Sequence, residues 1–481
     1  MKILILGAGR VGESVAAGLV SENNDITVID SDPQRLSYLQ DRHDLRGVVG
    51  NGIQPSVLQA AGIEDADMLI ACGALDETNL VACKVAHDVF GVPTTIARVR
   101  SPEFESGNPL LEKSGFAVDR VLCPEKSVTA AIRKLIEYPD ALQVLEFARG
   151  LVSLIAVRAV AGGPLVQHSL AEIPRLLPGA QMRIVAIYRR DKALPQLEGA
   201  TRIEPGDEVF MLAATRDIRE VMSALRRAGR GGDVGERRTK RLMIAGGGRV
   251  GLRLARELRS HYELKIIETD ARRCDYLATE LPPEVLVLRG DSTDEDLLGD
   301  ENVDQMDMFL ALTSDDEDNI MSCLLAKRLG ARRVLAVINR KAYADLVQGT
   351  AIDIAISPSQ AVIGELLAFV RRGDVAAVHS LRHGAAEALE AIVRGDRKTC
   401  RMAGRRIDEA GLPKGAQVGA IVRGLHRSDG SAAGADAVPE VIIAHHDTVV
   451  QPNDHVIVFV PHKRMVREVE KLFQVSATFM F

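Results

Sequence analysis

Gly7-Ala8-Gly9-Arg10-Val11-Gly12 follows directly on the apolar run at 3–6, and a second copy, Gly246-Gly247-Gly248-Arg249-Val250-Gly251, follows the apolar run at 242–245. The copies lie 239 residues apart in a chain of 481, so the molecule is built twice over. In the first loop Gly7 permits a tight turn, Gly9 lets the backbone approach a pyrophosphate, and Gly12 allows close helix–strand packing. The helix that opens there offers unpaired N–H groups and partial positive charge to an anion, and Arg10 or Arg249 adds a full charge. Asp30 lies 21 residues past Gly9 and Glu268 lies 20 past Gly248, the distance at which a carboxylate accepts ribose hydroxyls. Like-charge repulsion at that position disfavours a 2′-phosphate, so the expected ligands are NAD(H) or an adenine nucleotide (ATP or ADP) rather than NADP.

Working outward, short apolar runs at 3–6, 26–29, 47–49, 68–71 and 95–99 alternate with helical patterns, which predicts βαβ units and a parallel sheet. The second half repeats them at 242–245, 264–267, 285–288, 308–312 and 334–338. Gly50-Asn51-Gly52 matches Gly290-Asp291-Ser292, and Asp76-Glu77-Thr78-Asn79 matches Asp316-Glu317-Asp318-Asn319. After each sheet a Pro-marked segment, at Pro124 and Pro358, leads into an apolar connector helix. Smaller regions follow, with short β runs and matching turns at Glu204-Pro205-Gly206-Asp207 and Gln451-Pro452-Asn453-Asp454. The expected division is 1–139 and 241–373 for two Rossmann-like units, 140–228 and 374–481 for two small α/β units, and 229–240 for a Gly- and Arg-rich linker.

Composition narrows the function. No Trp, 4% aromatic residues and a net charge of −6 argue against carbohydrate stacking and against nucleic acid. Six cysteines without a CxxC pair read as reduced, buried thiols of a cytosolic protein. No apolar stretch approaches the roughly 18 residues that span a bilayer, and the early first strand leaves no room for a signal peptide.

Past the fourth strand of each half, Gly73-Ala74 and Thr313-Ser314 stand where the chain leaves the carboxyl edge of the sheet, the edge at which such folds bind ligands. Asp76, Glu77, Asp316 and Glu317 read as helix-capping residues. Arg98, at the end of the fifth strand, is positioned to meet phosphate, and its counterpart is Val337, so the two sites are expected to differ. His445-His446-Asp447 falls in a strand context without further ligands at metal spacing, and His379 and His383 fall at the end of a strand, so no metal is expected. Nor does any acid or base accompany the loops as a hydride-transfer enzyme requires.

Taken together, the tandem loops, the DExN segments at Asp76 and Asp316, Ala97-Arg98-Val99-Arg100, Ile338-Asn339-Arg340 and Val378-His379-Ser380-Leu381-Arg382 resemble the TrkA family, the cytoplasmic regulatory subunits of bacterial Trk potassium uptake systems. The resemblance covers nearly the whole chain. It implies an α/β fold made of a tandem duplication, each half a Rossmann-like domain followed by a small RCK C-terminal domain. It also implies a ring, a tetramer of such chains, on the inner face of the cell membrane beneath a potassium-translocating TrkH/TrkG-like subunit, and a regulatory rather than catalytic role. By the resemblance the nucleotide contacts are Gly7, Ala8, Gly9, Arg10, Val11, Asp30, Gly73, Ala74 and Arg98, then Gly246, Gly247, Gly248, Arg249, Val250, Glu268, Thr313 and Ser314. The alternatives are a gating subunit of potassium efflux or an NAD-dependent oxidoreductase. Two departures stand out: Gly73-Ala74 lacks a hydroxyl common in the family, and Gly50-Asn51-Gly52 lacks the acid present at Asp291.

Overall fold

The computed structural model describes all residues except 21, 23, 105, 106, 191, 195, 196, 227–240, 348, 349, 372–374, 382–385, 426–438 and 476–481. The linker at 229–240 and His383 lie outside the described residues. The chain falls into two compact units, Met1–Val128 with Ser357–Ile363, and Thr129–Ile356 with Gly364–Phe481.

The first unit is a parallel sheet of β1 (Lys2–Leu6), β2 (Asp25–Asp30), β3 (Arg46–Val49), β4 (Met68–Ala71), β5 (Thr94–Arg98) and β6 (Arg120–Leu122). Its order is β3-β2-β1-β4-β5-β6, the doubly wound arrangement whose reversal between β1 and β4 opens a crevice at the carboxyl edge. Residues 3–6 and 68–71 are buried on both faces, as parallel strands covered by helices must be. The crossover helices are α1 (Arg10–Val20), α2 (Pro33–Gln40), α3 (Pro55–Ala60) and α4 (Asp76–Phe90), and α5 (Pro124–Glu137) begins after β6 with Pro at its first position. The short β6 is an addition to the five expected strands. A second addition is long-range: Ser357–Ile363, which in sequence belongs to the second half, is part of this unit, and Ile363 lies against Gly18 of α1.

The second unit begins, after the rest of α5, with an antiparallel sheet of β7 (Ala141–Phe147), β8 (Val152–Arg158), β9 (Met182–Arg189), β10 (Lys192–Ala193) and β11 (Glu208–Ala214), with α6 (Ile173–Leu176) and α7 (Ile218–Ala224). A second parallel sheet of six strands follows: β12 (Arg241–Ala245), β13 (Glu263–Glu268), β14 (Leu286–Arg289), β15 (Met308–Ala311), β16 (Val334–Val337) and β17 (Ile354–Ile356), in the same order as the first. Its helices are α8 (Arg249–Leu258), α9 (Ala271–Glu280), α10 (Glu295–Asp300), α11 (Asp316–Arg328) and α12 (Lys341–Val347). α13 (Pro358–Val370) then leads to a last antiparallel sheet of β18 (Val375–Leu381), β19 (Ala386–Ile392), β20 (Gln417–Arg423), β21 (Glu440–Ile443) and β22 (His455–Val460), closed by α14 (Val466–Phe473).

The two antiparallel sheets share one core: Phe147, Leu154, Phe210 and Leu212 from one meet Leu381, Ala388, Ile457 and Phe459 from the other. Glu390, only 4% exposed, spans this seam, accepting from Ala148 N–H at 2.8 Å and pairing with His455 Nδ1 at 2.6 Å. It thereby pins a turn in which Ala148, Arg149 and Gly150 all have positive φ, a conformation that costs a non-glycine residue energy unless its surroundings hold it. Beside it, His379 stacks edge-on to Phe147 with ring centroids 4.9 Å apart, and its Nε2 lies 3.2 Å from the Glu146 carbonyl. The expected turns are also tied down, each by one buried acid gripped by an arginine: Asp207 by Arg189 and Asp454 by Arg423.

Two outcomes follow for stability. Glu390→Ala leaves the Ala148 amide and the His455 ring without their shared acceptor, and should cost about 2–4 kcal/mol in urea unfolding, the usual range for an orphaned buried polar network. Desolvation pushes the His379 pKa below its ordinary 6.5. The unfolded chain therefore takes up the proton first, so His379's contribution is intact above pH 6.5 and is lost as the pH falls below it. The thermal midpoint should decline below that pH, and His379→Gln should flatten the decline.

Candidate functional site

The crevice of the first unit is assembled from backbone constraints. Gly7 sits at φ +101°, and a side chain there would press on the backbone of Cys72 and Gly73. A Cβ on Gly12 would overlap the Gly7 carbonyl oxygen, so the α1 helix can start this close to β1 only without one. A Cβ on Gly9, by contrast, would meet nothing within 4 Å, so the loop presents bare backbone to open space. The second loop repeats this position by position: Gly246 has φ +104°, Gly251 abuts the Gly246 carbonyl, and Gly248 faces open space. Gly247 differs from Ala8, since a side chain there would strike Leu277.

Asp30 and Glu268 close each loop against the second strand. Ala8 N–H donates to Asp30 Oδ2 at 2.6 Å and Asp32 N–H to Oδ1 at 2.9 Å. Gly247 N–H donates to Glu268 Oε2 at 2.9 Å and Asp270 N–H to Oε1 at 3.0 Å. A carboxylate oxygen has two lone pairs, so both oxygens of Asp30 and Oε2 of Glu268 keep one for a ribose hydroxyl while the other holds the loop, whereas Glu268 Oε1 also accepts from the Thr269 hydroxyl at 3.3 Å. Asp30 is 8% exposed and Glu268 more open. Arg10 and Arg249 are exposed at the starts of α1 and α8, and Val11 and Val250 are half-buried behind them.

At the opposite lip stand Gly73 and Ala74, and Thr313 and Ser314. Asn79 and Asn319, fully buried, fix these segments, and sequence reading passed over both. Gly73 N–H donates to Asn79 Oδ1 at 2.7 Å, and Asn79 Nδ2 donates to the carbonyls of Gly73 (3.1 Å) and Arg98 (2.8 Å). Asn319 does the same for Thr313 and for the Val337 carbonyl at 2.8 Å, which makes Arg98 and Val337 structural counterparts. The DExN spacing was the available signal: its Asn falls one turn into a helix, where a buried amide can reach two strand ends.

Asp76 and Asp316 correct the capping expectation. Asp76 accepts from Arg100 N–H and Ser101 N–H, both at 2.9 Å, and Asp316 from Asn339 N–H and Arg340 N–H, both at 2.8 Å. They clasp the chain leaving the fifth strand, and in the second half the cap is Asp315, which accepts from Asp318 N–H. His445-His446-Asp447 is likewise not in a strand, because β21 ends at Ile443 and the three residues form an exposed turn. Among the described residues there is no cluster of three potential metal ligands.

The lips differ in charge. In the first crevice Arg98, 9% exposed, and Arg100 both face Glu125. In the second, Arg340 is drawn outward to exposed Glu317 at 2.8 Å, and burial together with Asp315, Asp291 and Glu317 raises the Asp318 pKa. Burial pushes the Cys72 thiol behind the first loop up to about 12, which keeps it an uncharged packing group.

Paired glycine loops, each answered by a strand-end acid across a crevice in a doubly wound sheet, define a duplicated Rossmann-type protein of the dinucleotide-binding class. Family models describing the TrkA-N domain match residues 3–124 and 242–358, and one describing the TrkA-C domain matches 154–226. The chain is 51% identical to the "Trk system potassium uptake protein TrkA" of Halomonas elongata over the full length of both chains. It is 48% identical to the protein of that name from Vibrio alginolyticus and 43% to that from Haemophilus influenzae, again at full coverage. The chain belongs to the TrkA family of potassium uptake proteins. In fold it is similar to the GsuK RCK domain (TM-score 0.58, 17% identity, 98% of this chain and 94% of that one) and to the GsuK channel bound to NAD (TM-score 0.57, 16% identity, 98% and 78%).

Replacing Asn79 with Ala strands the Gly73 amide and the Arg98 carbonyl, and should cost about 2 kcal/mol in denaturant unfolding, within the usual range for unsatisfied buried groups. The same change at Asn319 should cost a similar amount in the second unit, so the two variants serve as paired probes of the two lips.

Proposed function

We propose that the chain is the nucleotide-sensing regulatory subunit of a Trk-type potassium uptake system, without catalytic activity of its own. It binds NAD(H), or the adenine nucleotides ATP and ADP, at two crevices. The observation that carries this reading is that Gly9 and Gly248 leave bare, open backbone at a helix start while Asp30 and Glu268 each retain acceptor capacity beside it. The adenosine ribose rests on Asp30 or Glu268, the phosphates on the backbone at Gly7–Val11 or Gly246–Val250, with Arg10 or Arg249 beside them. The lip at Gly73-Ala74 or Thr313-Ser314 borders the rest of the ligand, and Arg98 adds charge only in the first crevice.

The family supports a membrane-embedded potassium-translocating partner, and no helix among the described residues is long and apolar enough to cross a membrane itself. The reading therefore places the chain at the cytoplasmic face as a homo-oligomer, a tetrameric ring. Its functional units are 1–139 and 241–373 for nucleotide, 140–228 and 374–481 for assembly and coupling, and 229–240 as the link between halves. A bound nucleotide changes transport only by as much as it prefers one state of the ring over the other.

Calorimetry of the full chain with NADH, NAD, ATP and ADP should show two binding events per chain. Asp30→Asn should weaken the first and Glu268→Gln the second by about tenfold or more, as expected for loss of a charged acceptor to a ribose hydroxyl. Unchanged affinity in both variants would remove the assignment. With the membrane subunit in proteoliposomes, nucleotide-dependent potassium flux should disappear when both acids are replaced together.

A further inference from the structure

The far end of α5 is held from the second half of the chain. Arg333, the residue before β16, donates through Nη1 to the Pro139 carbonyl and through Nη2 to the Ala141 carbonyl at 2.9 Å. Both carbonyls belong to the turn between α5, which ends at Glu137, and β7, which begins at Ala141. A helix carries partial negative charge at its carboxyl end, so a forked cation suits this place. The acids around Arg333 are engaged elsewhere: Asp140 pairs with Arg226 at 3.1 Å, and Asp353 pairs with Lys327 at 2.8 Å and accepts from Val334 N–H at 2.9 Å. Burial outweighs the attraction of Asp353 and Asp140 and pushes the Arg333 pKa down to about 10, so the group stays charged at neutral pH. A cation that gives up solvent for two neutral carbonyls is a costly way to fill space, and what it provides is a fixed two-pronged geometry.

Each side of this grip leads to a crevice. β16 runs from Val334 to Val337, whose carbonyl accepts from Asn319 Nδ2 at 2.8 Å on the second lip. α5 begins one residue after β6, and β6 pairs with β5 so that Leu122 lies opposite Arg98, whose carbonyl accepts from Asn79 Nδ2 at 2.8 Å on the first lip. β7 is held further along by the second half, where Gln143 Nε2 donates to the Ser380 carbonyl at 3.2 Å and Ala148 N–H donates to Glu390. The first half supplies an internal comparison. Thr95 N–H donates to Asp119 Oδ2 at 2.8 Å as Val334 N–H does to Asp353 Oδ2, which makes Thr94 the counterpart of Arg333. A threonine has one hydroxyl and no charge, so the forked grip belongs to the second sheet alone.

We propose that Arg333 is a positioning residue that couples the two crevices of one chain: by fixing the end of α5 to the start of β16 it joins β6, α5 and β16 into one path between the lips, so that nucleotide in either crevice changes the affinity of the other. This rests on the reading of both crevices as nucleotide sites. The coupling is reciprocal, because each ligand must alter the other's affinity by the same factor. A path of packed elements carries such coupling only if it has two arrangements, and here they are the guanidinium seated on both carbonyls and the guanidinium released from them.

The test is calorimetry of the full-length chain titrated with ADP. Asp30→Asn leaves the second crevice to report by itself and Glu268→Gln the first, so the two variants give each affinity without its neighbour. In the chain with both acids the stepwise affinities should depart from that pair by about fivefold, the lower end of the range usual for coupled sites. Arg333→Gln should remove the departure, and Arg333→Lys, which keeps the charge and loses the fork, should retain only part of it. Hydrogen exchange gives a second readout: in the Asp30→Asn chain, ADP should alter exchange of the amides between Tyr138 and Phe147, and Arg333→Gln should abolish that response. A purely structural Arg333 would lower the melting temperature and leave the departure and the exchange response in place, which overturns the proposal. Two independent crevices in the unaltered chain overturn it equally. Should Arg333→Gln fail to fold, Arg333→Lys carries both measurements. If ADP binds at neither crevice, the site reading itself fails; if it binds at both and the Arg333 variants change neither readout, only the coupling fails.

Discussion

Everything at the carboxyl edges of the two parallel sheets depends on the backbone amides of the glycine loops finding an acceptor that does not fill the crevice. A helix that starts within contact of a strand leaves its first N–H groups without intrahelical partners, and burying them unpaired costs free energy. Asp30 and Glu268, on the next strand, take up the loop amide just ahead of that helix, Ala8 N–H and Gly247 N–H. One carboxylate holds the loop amide and the start of the following turn, so the loop shape, the strand register and the acid position are a single constraint. Gly12 and Gly251 meet the same constraint from the helix side by letting its first turn rest on the loop carbonyl. The asparagines of the DExN segments perform the matching task on the opposite lip. Both lips of each crevice are therefore tied by the chain's own hydrogen bonds, and what differs between the two crevices is charge.

Much of this was legible in the sequence because it is local. The loops, the acids and ten of the parallel strands announce themselves through glycine spacing and apolar runs, and the fold class they imply is the one observed. What escaped was set by partners distant in sequence. Residues 386–392, Ala-Glu-Ala-Leu-Glu-Ala-Ile, carry strong helix formers and no clean alternation, yet they form the strand β19. Glu387 is buried against Arg371 and Glu390 against Ala148 and His455, pairings that no window of sequence reveals. Intrinsic propensity yields to such packing because each residue's preference is worth only a fraction of a kcal/mol. Likewise Asp76 at a helix start reads as a cap, and only the return of the chain at Arg100 and Ser101 shows where its carboxylate is used.

The two small antiparallel sheets show how a duplicated chain couples its halves. Their shared core joins strands from residues 141–214 to strands from 375–460, and Glu390 and His379 from the second half hold a strained turn of the first. A sheet that buries both an apolar face and a polar bridge against its counterpart cannot slide without exposing one or orphaning the other. The parallel sheets, by comparison, keep their own separate cores.

Ser357–Ile363 joins the first unit although it comes late in the chain, while Thr129 onward leaves that unit although it comes early. The second half thus lends the start of its connector to the first unit. Duplication within one chain has an evolutionary consequence. In a symmetric dimer any substitution appears at both crevices at once; in a single chain each crevice mutates alone. The arginines of one lip and the valine and asparagine of the other are the divergence that this freedom permits.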